Sequence, residues 1–105
     1  MLTKEQRIRL RSYAQKLPDL VQVGKEEIND NLIKQINDNL YAHEVIKIKV
    51  NSNALSTPIK IGEELENICN CEIVTVIGSK IVLYKKSSKK TDKKLQAVRD
   101  LLAKK

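Results

Sequence analysis

The stretch IVTVIGSKIVLY (Ile73–Tyr84) holds two β-branched runs, Ile73–Ile77 and Ile81–Tyr84, around the short turn Gly78-Ser79-Lys80. Runs of this kind joined by a glycine-containing turn predict a β-hairpin, and hairpin strands are antiparallel. Upstream, VIKIKV (Val45–Val50) alternates, with Ile46, Ile48 and Val50 on one face and Lys47 and Lys49 on the other. That is a strand with one buried face. LVQV (Leu20–Val23), ending at Gly24, predicts a further short strand, and the remaining segments have helical spacing. Thr3 and Gln6 stand at capping-box distance, and Leu10, Tyr13, Ala14 and Leu17 recur at i, i+3, i+4, i+7, so residues 4–17 are predicted helical as far as Pro18. Lys4, Arg7 and Arg11 share one flank of that helix. Asn29 can cap a second helix carrying Leu32, Ile33, Ile36 and Leu40 to about Tyr41, and Thr57-Pro58 opens a third with Ile61, Leu65 and Ile68, to about Cys69. The order α-β-α-β-α-β-β predicts an α/β domain. Right-handed crossovers make the first three strands parallel, and the hairpin adds an antiparallel partner, which gives a four-stranded mixed sheet with packed helices.

A chain of 105 residues has room for one core, which excludes an enzyme built from separate cofactor and substrate domains. The formal charge is +7, and residues 85–105 hold nine basic and two acidic side chains, so they carry all of it. Residues 1–25 are basic and residues 26–84 acidic, so a basic helix and a basic tail flank an acidic middle. This asymmetry predicts an acidic partner, nucleic acid before membrane, because no cationic stretch has an apolar face suited to a bilayer surface. No apolar run spans a membrane and the N-terminus has no hydrophobic signal region, so a cytoplasmic protein is expected. The domain is expected over residues 1–86. Residues 87–105 read as a basic tail that adds sequence-independent affinity for such a partner and supplies no core position. The alternative is a short helix from about Asp92 docking through Leu95, Val98 and Leu102. With Phe and Trp absent and only Tyr13, Tyr41 and Tyr84 aromatic, a broad base-stacking platform is not expected.

Little in the sequence points to catalysis. Cys69 and Cys71 are too close, and without further ligands, for a tetrahedral metal site, and they read as reduced thiols. His43 with Glu44 lacks a nucleophile, and no cofactor motif appears. No enzyme, cofactor, metal or small-molecule substrate is therefore expected. Gly24-Lys25, between a strand and a helix, has the composition of a loop that meets phosphate, though a structural turn has the same spacing. Lys80, in the hairpin turn, is free to point at a ligand.

Taken together, LPDLVQVGKEEI (Leu17–Ile28), AHEVIKIKV (Ala42–Val50) and VTVIGSKIVLYKK (Val74–Lys86) resemble the CRM RNA-binding domain family, the YhbY-like proteins of bacteria, from about Thr3 to Lys86. The resemblance implies a fold similar to the C-terminal domain of bacterial initiation factor three. It also implies a cytoplasmic protein that binds ribosomal RNA and associates with large-subunit precursor particles. The family's loop has the form G-x-x-G. Its first glycine corresponds to Gly24, and its second falls at Glu27, a carboxylate that adds repulsion toward phosphate. Lys85 stands where relatives carry Arg after Leu-Tyr, keeping the charge without the bidentate fork. Arg7, Arg11, Lys25, Lys80 and Lys85, with Gly24 for close backbone approach, are the candidate contacts to structured RNA. The competing expectation is a protein adaptor whose acidic helices meet ribosomal proteins or assembly factors.

Overall fold

Thr3 caps the first helix by accepting from the Gln6 N–H at 3.1 Å, while Gln6 Oε1 accepts from the Thr3 N–H at 2.9 Å. This is the reciprocal pair that the spacing anticipates. In the computed structural model, which describes residues 2–25 and 28–103, the elements are α1 (Lys4–Ala14), β1 (Asp19–Val23), α2 (Asp30–His43), β2 (Val45–Val50), α3 (Pro58–Ile68), β3 (Glu72–Ile77), β4 (Lys80–Tyr84) and α4 (Lys93–Ala103). α1 stops short of Leu17. The Lys16 and Leu17 N–H groups bond three residues back, to Tyr13 and Ala14 at 3.2 and 3.0 Å, tightening the chain ahead of Pro18, which disfavours helical backbone at Leu17. α2 runs past Tyr41 to His43 and ends on Glu44, whose φ of 65° is left-handed and whose N–H bonds to the Leu40 carbonyl at 2.8 Å.

The strands form one mixed sheet in the order β1-β2-β4-β3. β1 and β2 are parallel, and β4 is antiparallel to both of its neighbours. The first three strands therefore run one way, as the crossovers require, with β4 inserted between β2 and β3. Helices pack on both faces of the sheet, fully on one and over part of the other. Ile46, Ile48, Ile81 and Leu83, fully buried, meet Ile36 and Leu40 of α2 and Ile61 and Leu65 of α3. Gly62 lets α3 lie close to the sheet, since a Cβ there would stand 3.2 Å from Ile73 Cδ1. On the opposite face Val45, Val74 and Val82 pack with Leu10 and Ala14 of α1 and Val98 of α4. Gly78 turns the hairpin with a φ of 56°, which glycine adopts without strain.

The segment beyond Lys86 does supply core positions. Asp92 Oδ1 accepts from the Leu95 N–H at 3.0 Å, capping α4, and Leu95 and Val98 are buried. The docked helix, rather than a free solvated tail, is what the structure shows for residues 93–103.

Candidate nucleic-acid interface

Three segments meet at one end of the sheet because β1, β2 and β3 share a direction. These are Gly24-Lys25 after β1, Asn51-Ser52-Asn53 after β2, and the turn Gly78-Ser79. The Asn51 N–H bonds to the Val23 carbonyl at 2.8 Å, and the Val50 N–H bonds to the Ser79 carbonyl at 2.7 Å, so the three are tied together. Lys25 is exposed, whereas Glu27 lies outside the described residues. Gly24 does not take the left-handed conformation that would demand glycine. A Cβ there would stand 3.7 Å from Asn53 Oδ1 and 3.9 Å from Asn51 Nδ2, an ordinary contact. The N-terminus of α2 is already occupied: Asn29 Oδ1 accepts from the Leu32 N–H at 2.8 Å, and Asp30 sits in the first turn.

The sheet face that runs away from this end is basic. Lys49 and Lys80 are directly opposite on β2 and β4, and Lys47 is two residues along on the same face. Lys80 is ion-paired with Asp19 of β1, which offsets the repulsion that two facing lysines create. Beside them, exposed Arg11 in the last turn of α1 reaches the same cleft as Lys47 and Lys80, a cavity of about 260 Å³ walled by Ala14, Thr75, Ile77 and Val82. Arg11, Lys47, Lys49 and Lys80 thus line one surface that ends at the side-chain amides of Asn51 and Asn53, while Lys25, past the end of β1, lines a separate cleft with Asn29 and Gln35.

Two candidates stand elsewhere. Arg7 pairs with Glu72 at 2.6 Å and also donates to the Ile73 carbonyl, holding α1 to β3. Glu72 in turn accepts from the Leu2 N–H at 3.0 and 3.1 Å, so this cluster fastens the N-terminus. Lys85 lies at the far end of β4 and donates to the Cys69 carbonyl at 2.9 Å, at the end of α3. Lys47 and Lys49 were missed as candidates. The alternation of VIKIKV puts both on one face, but nothing local to that strand reveals that Arg11 overhangs it.

The CRS1/YhbY (CRM) domain family model matches residues 2–85, ending one residue after β4 and short of α4. "Probable RNA-binding protein YqeI" of Bacillus subtilis is 44% identical over 87 residues, covering 83% of this chain and 91% of that protein. "Probable RNA-binding protein MJ0652" of Methanocaldococcus jannaschii is 35% identical over 86 residues, covering 80% of this chain and 63% of that protein. The solution structure of the hypothetical protein SAV1595 from Staphylococcus aureus matches with a TM-score of 0.74 and 41% identity, over 87% of this chain and 95% of that one.

Proposed function

The chain belongs to the CRS1/YhbY (CRM) domain family, and from that premise we propose that it binds structured RNA through the basic sheet face and the strand ends beside it. The observation that carries this reading is the convergence of Arg11, Lys47, Lys49 and Lys80 on one sheet face, running to the strand-end loops that hold the Asn51–Asn53 amides and, beyond β1, Lys25. Lysines positioned on a rigid strand neutralise successive phosphates, and the side-chain amides offer hydrogen bonds to backbone and sugar. The RNA-binding names of two relatives support the reading.

Within it, the RNA is ribosomal and the setting is a cytoplasmic precursor of the large subunit, as the family resemblance suggests. Binding rather than chemistry is the role. His43 faces Lys94 of α4 and Lys89 ahead of it, and the Glu44 carboxylate accepts from the Ser87 N–H and Arg99. The Cys71 thiol is pushed up to about 12 by burial, Cys69 and Glu66, so it is protonated at neutral pH. The adaptor reading draws on α3, where Ile59 is 59% exposed one helical turn before Glu63 and Leu55 is 82% exposed just upstream.

The test is Lys25→Glu and Lys49→Glu, both at exposed positions, titrated against fragments of large-subunit ribosomal RNA at several salt concentrations. Each variant should bind more weakly with unchanged folding, and each lost phosphate contact should flatten the plot of log K against log salt by roughly 0.7–0.9. Wild-type affinity in both variants sinks the assignment of this face. Sedimentation of cell extracts addresses the setting, since absence of the protein from large-subunit precursors counts against the ribosomal reading.

A further inference from the structure

At the other end of the sheet, α2 and α3 finish side by side and the chain leaving β4 crosses beneath them. Between them lies a cleft of about 380 Å³, within the range of small-ligand sites, lined by Asn37, Tyr41, Ile68, Asn70, Lys85 and Lys86 among others. Its wall is built rather than loose. The Ser87 hydroxyl donates to the Tyr41 carbonyl, the Ser87 N–H bonds to buried Glu44 at 2.7 Å, and Lys85 is held by the Cys69 carbonyl.

Tyr41 is 53% exposed, whereas Tyr13 and Tyr84 are packed against the second core. Ile68 is 49% exposed in the same cleft, so a ring and an aliphatic side chain are both presented to it. Among the described residues, no hydrogen bond within the protein engages the side chains of Asn37, Tyr41, Asn70 or Lys86. An aromatic face, free amides and a cation in one small cleft are the components of a nucleotide site: a surface to stack a base, groups to read its edge, and a charge for its phosphate.

We propose that this cleft holds one unpaired nucleotide of the bound RNA, its base stacked on Tyr41 and its phosphate at Lys86. The proposal rests on the RNA-binding reading and extends it from duplex-like backbone contacts to a single extruded or terminal base. β4 joins the two contacts, with Lys80 at the sheet face and Lys85 at the cleft, five residues or about 16 Å apart along a strand. Lys85, which does not join the basic sheet face, thereby acquires a place.

The full chain is titrated with a blunt RNA duplex and with the same duplex carrying a short single-stranded adenosine overhang. The wild type binds the overhang duplex more tightly. Tyr41→Ala erases that preference, a loss of about 5- to 150-fold for one base–aromatic stack. Tyr41→Phe keeps it, and Lys86→Glu, at an exposed position, reduces it with the ring intact. All three variants retain wild-type affinity for the blunt duplex. A preference unchanged in Tyr41→Ala, or missing from the wild type, overturns the cleft assignment and leaves the sheet face as the RNA site. A wild type that binds neither duplex overturns the RNA reading itself, and the cleft with it.

Discussion

Glu44 shows how much one side chain can organise. It is fully buried, ends α2 in a left-handed conformation, and accepts the Lys85 N–H on its own carbonyl at 2.9 Å. Its Oε2 accepts from the Ser87 N–H at 2.7 Å and from Arg99 at 3.2 Å. A glycine would ease the backbone, but it would remove the carboxylate that fastens the C-terminal segment. Arg99→Ala leaves that charge with the Ser87 N–H alone and should destabilise the protein by about 2–3 kcal/mol, the low side for cutting a buried pair because Arg99 is partly exposed. Combining it with Glu44→Gln should cost less than the two single changes added together. Urea unfolding of the four proteins measures this coupling, and additive losses would mean the pair does not act as one. His43, one residue earlier, has its pKa lowered by burial and by Lys94 and Lys89, with Asp92 opposing. The unfolded chain therefore binds its proton more readily than the folded one. The stability tied to neutral His43 is complete above about pH 6.5 and is lost as pH falls from there through the lowered value. Melting followed from pH 7.5 to 5 should show this decline, and His43→Gln should flatten it.

At the scale of elements, α4 is the test of what belongs to the fold. Leu95 and Val98 are buried, and burying an aliphatic side chain contributes about 1.5–3 kcal/mol, so together they supply a large part of a small domain's usual 5–15 kcal/mol. Truncation after Lys86 also removes Ser87 and Arg99 from Glu44. The shortened protein should lose its cooperative melt at moderate temperature; an unchanged midpoint would show that α4 contributes nothing to the folded unit. The elements that were legible in the sequence are those whose signal is local: the Thr3 and Thr57 caps, the alternation of VIKIKV, and the β3–β4 turn at Gly78. α4 was obscured because its apolar stripe is thin among lysines, and its docking partners, α1 and α2, lie far back in the chain. The site was half legible for the same reason. Arg11 and Lys80 share one cleft and Lys25 lies in another, but only the strand register joins Lys47 and Lys49 to the first two. An ion pair with Glu72 turns Arg7 to a structural task that its helical wheel position does not reveal.

For the whole molecule, charge and chain order matter most. α4 packs on the same side of the sheet as the Arg11 cleft, and Lys90, Lys93 and Lys94 are exposed. If all three reach phosphate, replacing them with Gln should flatten the salt dependence of RNA binding by about two units while the fold stays intact. An unchanged slope would assign those lysines to solvent. β4 is the fourth strand along the chain, yet it sits between β2 and β3. β3 can join the sheet only through it, and β2 keeps an open edge until residues 80–84 exist. During synthesis, then, the emerging polypeptide has no stable intermediate to rest in: most of the chain must leave the ribosome before the sheet can close. Folding is therefore late and concerted, and the nascent chain carries an unpaired strand edge that invites aggregation until the hairpin arrives to seal it.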